Sequence, residues 1–205
     1  YFNLTDEYNG IGKLEPKFKR EQRFKTLPGG RKSGYSEYVN DIYIASYDKN
    51  IAIQFGAKWI NRNQPVFNES EMNVEKLLSL SLKDIESKGI FPGVILYVNH
   101  HYPFRPYNLF DDLISDLQNM GLSSVFPCFV DYGHYWQKRS DSSFIKIDSS
   151  MDSRSSREPI LRALYGLGCA TSSVEIRKGT ITGENIGVIA IEDYRYTLNS
   201  REGGS

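Results

Sequence analysis

Val94-Ile95-Leu96-Tyr97-Val98 is an unbroken apolar run of β-prone residues. Such a run fits a strand buried on both faces of a parallel sheet. The chain then passes through the polar stretch Asn99 to Pro106. Beyond it Leu109, Phe110, Leu113, Ile114, Leu117 and Met120 repeat at helical spacing, with Asn108 as the capping residue and Gly121 as the stop. Upstream, Val74, Leu77, Leu78, Leu82 and Ile85 form a second helical face, capped by Ser70 or Asn73 and ended by Gly89. Ile42 to Tyr47 predicts a buried strand. Asp48 then caps a short helix holding Ile51, Ile53 and Phe55, and Ala57 to Ile60 a further strand. Ser124 to Phe129 is another, in which Pro127 points to an edge or a bulge. Ala170 to Ile176 and Ile186 to Ile191 close the series as two late strands. Strands alternating with helices predict an α/β fold: three layers, with a mostly parallel, doubly wound sheet.

A chain of 205 residues is read as one domain. Residues 1–38 are polar and basic in places and are expected to be irregular; residues 131–156 are serine-rich and read as a polar loop or an excursion from the sheet. Lys plus Arg is 25 and Asp plus Glu is 25. That balance lacks the basic excess of a general nucleic-acid or anionic-membrane binder. No apolar run approaches the ~20 residues of a membrane span, and Tyr1 to Asp6 has neither a basic nor an apolar leader character. Cys128 and Cys169 are too few for a disulfide scaffold or a four-cysteine zinc site and suit reduced thiols in the cytoplasm. Gly203-Gly204-Ser205 reads as a linker or frayed end.

In open α/β sheets ligands bind beyond the carboxyl ends of the strands. The loops after Tyr47, Val98 and Phe129 are therefore the places to look for function.

Several segments, in order, resemble the acylneuraminate cytidylyltransferase family, the CMP-sialic acid synthetases and their relatives. They are Asn40 to Ala52; Phe55-Gly56-Ala57 with Asn61-Arg62 and Pro65; the helix from Val74 to Ile85; Leu96 to Arg105; Arg157-Glu158-Pro159; and Gly168-Cys169-Ala170. The resemblance spans roughly residues 40–192 and rests on order and spacing. It implies a nucleotide-diphospho-sugar transferase fold. The activity implied is transfer of CMP from CTP to a nine-carbon or eight-carbon acidic sugar, with release of pyrophosphate. It further implies Mg²⁺ and a homodimer. Two family features differ here. The family's opening glycine-rich loop matches only Arg23 to Arg31, without an apolar strand before it or a helix after it, so either the first βα unit is lost or residues are missing from this stretch. The family's late metal-binding Asp-x-Asp pair is also absent. Asp48 and Asp193 are the leftover metal candidates, and Asp48 has a competing role as a helix cap.

The resemblance also nominates individual residues. A triphosphate needs cationic donors. Lys25, Arg31 and Lys32 beside glycines are read as those donors, or as a solvated basic loop. Asn99 stands where the family has an amide that orients the sugar; the bland alternative is a strand-end turn. Lys25, Asn99 and Arg105 are the catalytic candidates. Arg31, Arg62, Asn99, His100, His101, Arg154 and Arg157 are the substrate-binding ones. Arg62 matches a family arginine near the nucleotide; Arg154 and Arg157 suit a carboxylate or phosphate. Arg105 has ion pairing or capping as its ordinary role. His100 and His101, adjacent in sequence, would point to opposite faces of a strand and make a poor chelating pair, with or without His134. A catalytically degenerate homologue acting as a binding or assembly partner, and a cytidylyltransferase for another acceptor, are the competing readings.

Overall fold

The computed structural model describes residues 2–4, 36, 38–67, 72–102, 104–147 and 153–198. In chain order the elements are β1 (Phe2–Leu4), β2 (Tyr43–Ser46), α1 (Lys49–Gln54), β3 (Lys58–Asn61), α2 (Val74–Ser87), β4 (Val94–Asn99), α3 (Leu109–Asn119) and β5 (Ser124–Asp131). A hairpin of β6 (Trp136–Lys138) and β7 (Phe144–Lys146) comes next, then a 3-10 turn, Arg154–Ser156. The chain closes with β8 (Ile160–Ala163), β9 (Cys169–Ser172), α4 (Ser173–Lys178), β10 (Ile186–Ile191) and a second 3-10 turn, Tyr194–Thr197.

The main sheet runs β10-β5-β9-β4-β1-β2-β3, and β8 pairs with β5. β1–β2, β1–β4, β2–β3 and β5–β10 are parallel. β4–β9, β5–β9 and β5–β8 are antiparallel. The sheet is therefore α/β but mixed, which corrects the expectation of a mostly parallel one. Its antiparallel part comes from one excursion: β8 runs back along β5, the turn at 164–168 steps away from it, and β9 continues between β5 and β4. Pro127, which has no N–H to give, lies where β5 changes partner from β9 to β8, and its carbonyl accepts from Leu164 N–H at 2.9 Å.

The alternation of β4 explains why its run had to be apolar throughout. Ile95 and Tyr97 join a core with Leu77, Leu78, Leu82 and Ile85 of α2 and Ile176 of α4. Leu96 and Val98 join another with Phe110, Leu113, Ile114 and Leu117 of α3. Each such fully buried aliphatic side chain contributes about 1.5–3 kcal/mol, so both layers are needed to hold this strand. Ile44 of β2 forms a third small core with Ile51 and Ala52 of α1.

Three local expectations change. Residues 1–38 include the central strand β1, so this element of the first βα unit is present. Residues 131–156 carry the β6–β7 hairpin and a 3-10 turn in place of a plain loop. The stretch Ala170 to Ile176 breaks after Ser172. The Ser172 hydroxyl accepts from Val174 N–H at 3.3 Å and starts α4, whose end is set by Gly179 at φ 89°.

Candidate functional site

The strand order reverses beside β1: β2 and β3 lie on one side of it, β4 on the other. In register, Leu4 stands level with Asn99 of β4 and Ala45 of β2. In open α/β sheets the ligand crevice lies outside the carboxyl ends of the strands at such a switch point, which here is the end of β1 and β4. Along this edge the order is Arg62 after β3, Ser46 to Asp48 after β2, Asn99 to Arg105 after β4, the turn 164–168 before β9, Asp131 to Tyr135 after β5, and Glu192-Asp193 after β10.

Asn99 closes β4 with its side chain folded into the turn. Its Oδ1 accepts from His101 N–H at 2.9 Å, and its Nδ2 donates to the Tyr97 hydroxyl at 3.4 Å. The acceptor half of the amide is spent on the backbone. The nitrogen carries two hydrogens, and among the described residues Tyr97 is its one protein acceptor. The half of the amide that the turn leaves over is therefore a donor. His100 and His101 lie in the turn after β4 and not in a strand. Their ring centroids are 4.0 Å apart at 39°, which corrects the expectation that they diverge.

Arg105 reaches back across the turn. Its Nε donates to Leu167 O at 3.0 Å and its Nη2 to Asn99 O at 2.6 Å, and its guanidinium lies 5.9 Å from the Phe110 ring centre. Asn99 N–H donates to Gly166 O at 2.8 Å. The turn at 164–168 is so close that a Cβ on Gly166 would meet the Tyr102 ring at 2.5 Å and Asn99 Cβ at 3.0 Å.

Arg62 is only 3% exposed, with its guanidinium 4.7 Å from the centre of the Tyr47 ring. It lies three strand spacings, about 14 Å, from Asn99. Arg154 stacks on Tyr132 at 4.9 Å, and Arg157 Nη1 sits 2.9 and 3.1 Å from the two ring nitrogens of His134. Both arginines therefore flank the end of β5. Lys25, Arg31 and Lys32 lie outside the described residues, in the connection between β1 and β2.

A group beside Arg154 and Arg157 was not among the residues nominated from sequence. Asp131 accepts from the Tyr135 hydroxyl and from Gly133 N–H, and the positive charges of Arg162 and Arg154 add to these. Together they hold its carboxyl below the usual range. Arg162 also lies over Phe129 at 5.6 Å. The one signal for Arg162 in the sequence is a charged residue between the apolar Leu161 and Ala163, which strand alternation would place on a face of its own.

The two metal candidates do not meet. Asp48 caps α1 through Asn50 N–H at 2.8 Å. Asp193 caps the last 3-10 turn and is gripped by Arg195, which lowers its carboxyl from the ordinary value. They stand after β2 and β10, five strand spacings apart, or about 24 Å. One ion cannot bridge that distance, so this pair does not fit the Mg²⁺ that the resemblance implies. Among the described residues no three His, Cys, Asp or Glu side chains are grouped to hold a metal. No described helix is long and apolar enough to cross a membrane.

No family model and no curated protein sequence matches this chain. Solved structures do. CMP:2-keto-3-deoxy-manno-octonic acid synthetase complexed with CTP is similar at a TM-score of 0.52 and 11% identity, over 77% of this chain and 75% of that one. The 4-diphosphocytidyl-2C-methyl-D-erythritol synthase of Anaerococcus prevotii is similar at a TM-score of 0.54 and 12% identity, over 97% of this chain and 88% of that one. At such identity the likeness establishes a shared fold alone.

Proposed function

We propose that this chain is a cytidylyltransferase of the doubly wound type that binds CTP in the β1–β4 crevice and transfers CMP to an acidic sugar, releasing pyrophosphate. The observation that carries the reading is the position of the Asn99–Arg105 turn at the point where the strand order reverses. Both structural neighbours make cytidine-nucleotide products by name, and one holds CTP. In this reading Asn99 donates to an oxygen or ring nitrogen of the ligand. Lys25 and Arg31, from the β1–β2 connection, offset the charge of the triphosphate. Arg154 and Arg157 hold the acidic group of the acceptor.

A second reading has its own support. Asp48 and Asp193 are each engaged in capping and stand too far apart to share an ion. A chain that binds the nucleotide without turning it over would need no such pair.

One experiment separates the two. Calorimetric titration with CTP, ATP, GTP and UTP is followed by pyrophosphate release with Mg²⁺ and a panel of keto-sugar acids and polyol phosphates. CTP-selective binding with pyrophosphate release supports the transferase. CTP binding without turnover on the whole panel supports the binding protein. Equal or absent binding of all four nucleotides refutes both.

A further inference from the structure

We propose that Arg105 is a positioning residue: its guanidinium fastens the Asn99–Tyr102 turn to the turn at 164–168 and so holds Asn99 as a hydrogen-bond donor at the crevice. The inference rests on the nucleotide-binding reading of that crevice.

Three observations converge. First, two nitrogens of one planar guanidinium go to two backbone carbonyls from distant parts of the chain, Leu167 and Asn99. A fork of fixed geometry is matched to such a pair; an ammonium has donors enough but sits on a flexible stem with no fixed fork, so it holds the pair less firmly. Second, the two turns are already tied at the Asn99 N–H to Gly166 O bond, and Gly166 leaves no room for a methyl group between Tyr102 and Asn99. The fit is therefore steric as well as polar. Third, the Asn99 carbonyl that Arg105 grips belongs to the residue whose side-chain Oδ1 is committed to His101 N–H. Fixing this backbone fixes which half of the amide is committed and which half is left for a ligand. Two of the donors of Arg105 are thus committed to carbonyls, one of them that of Asn99 itself, and through this bond Arg105 acts on Asn99.

The test combines hydrogen exchange with calorimetry on the full chain, using Arg105→Gln and Arg105→Lys, with CTP as the probe. The His101 amide, bonded to Asn99 Oδ1, reports the order of the turn without any ligand. Arg105→Gln is expected to speed its exchange at least tenfold and to weaken CTP binding at least tenfold, while the melting temperature falls by only a few degrees. Arg105→Lys is expected to fall between the parent and Arg105→Gln in both readouts. The same substitution made in an Asn99→Asp background is expected to weaken CTP no further, because its target is gone. Unchanged His101 exchange in a folded Arg105→Gln overturns the proposal. So does an equal loss of CTP affinity in both backgrounds, which is the signature of a general structural role. If Arg105→Gln does not fold, Arg105→Lys decides by the same readouts, and failure of both to fold overturns the proposal. If the parent itself does not bind CTP, the nucleotide reading fails, and the exchange rate alone decides whether the clamp exists.

Discussion

Replacing Gly166 with alanine adds one methyl group where the structure has no space for it. The new Cβ would stand 2.5 Å from Tyr102 Cε2, 2.9 Å from its Cδ2 and 3.0 Å from Asn99 Cβ. Real carbon contacts of this kind lie beyond about 3.5 Å, so something must move by roughly an ångström. The ring cannot shrink, and the backbone on both sides is pinned, by Asn99 N–H to Gly166 O and by Arg105 to Leu167 O. Overpacking of a fitted site costs about 1–3 kcal/mol. For a domain of this size that lowers the melting temperature by about 2–12 °C. Gly93 supplies the control. A Cβ there meets nothing within 4 Å, and its φ is outside the left-handed range. Alanine at 93 removes freedom only from the unfolded chain and is expected to stabilise by about 0.4–1 kcal/mol. Thermal unfolding by circular dichroism of the two variants beside the parent reads opposite signs. An alanine at 166 that melts with or above the parent would refute the close approach of the two turns.

Asn99→Asp keeps the oxygen that accepts from His101 N–H and removes the amide donor; CTP affinity is expected to fall about 10- to 150-fold, from an acceptor left unpaired and a like charge set near the triphosphate, with the melting temperature nearly unchanged, and calorimetry showing unaltered affinity would remove Asn99 from the site. Arg62→Ala is expected to destabilise by about 1–3 kcal/mol, because the side chain is buried and stacked on Tyr47; a urea melt matching the parent, together with lost CTP binding, would make Arg62 a ligand instead. Burial pushes the Cys169 thiol up to about 12, so the folded state keeps its proton when the unfolded chain begins to ionise near pH 8.5. The stabilisation present below that pH is therefore lost as pH rises, at up to about 1.4 kcal/mol per unit. Urea melts between pH 8.5 and 9.5 should show a steeper decline for the parent than for Cys169→Ala, and equal slopes would contradict it.

The parts of the fold that could be read in advance are those whose burial is local in sequence. β4 showed itself because both of its faces are covered, and α2 and α3 because one face of each is. β1 did not, since three residues that include a polar asparagine carry no periodicity; its place comes from pairing with β2 and β4, some 40 and 95 residues away in the sequence. The run Ala170 to Ile176 misled for a different reason. Thr171, Val174 and Ile176 favour a strand, but the Ser172 cap with Glu175 three residues on is a helix-starting signal, and it outweighs them. The direction of β9 was not legible at all, because nothing in its composition separates a parallel from an antiparallel neighbour.

The site divides along the same line. Side-chain chemistry was legible; which partner that chemistry meets was not. A guanidinium at 105 suits a phosphate, a carboxylate or a pair of carbonyls equally well, and the separation of 62 positions from Arg105 to Leu167 hides the last option until the chain is folded. The carboxylates obey the same rule. Asp48 and Asp193 each come after a strand, at the edge where open α/β sheets take ligands. Strand order then places them about 24 Å apart, since each strand of the sheet adds only about 4.8 Å. Two groups can share an ion on such an edge only if their strands are neighbours or nearly so. For Asn99, that limits partners to the connection leaving β1 and the turn leading into β9, the two strands beside β4. The second of these is the turn that Arg105 grips, which is why the clamp and the crevice belong to one piece of structure.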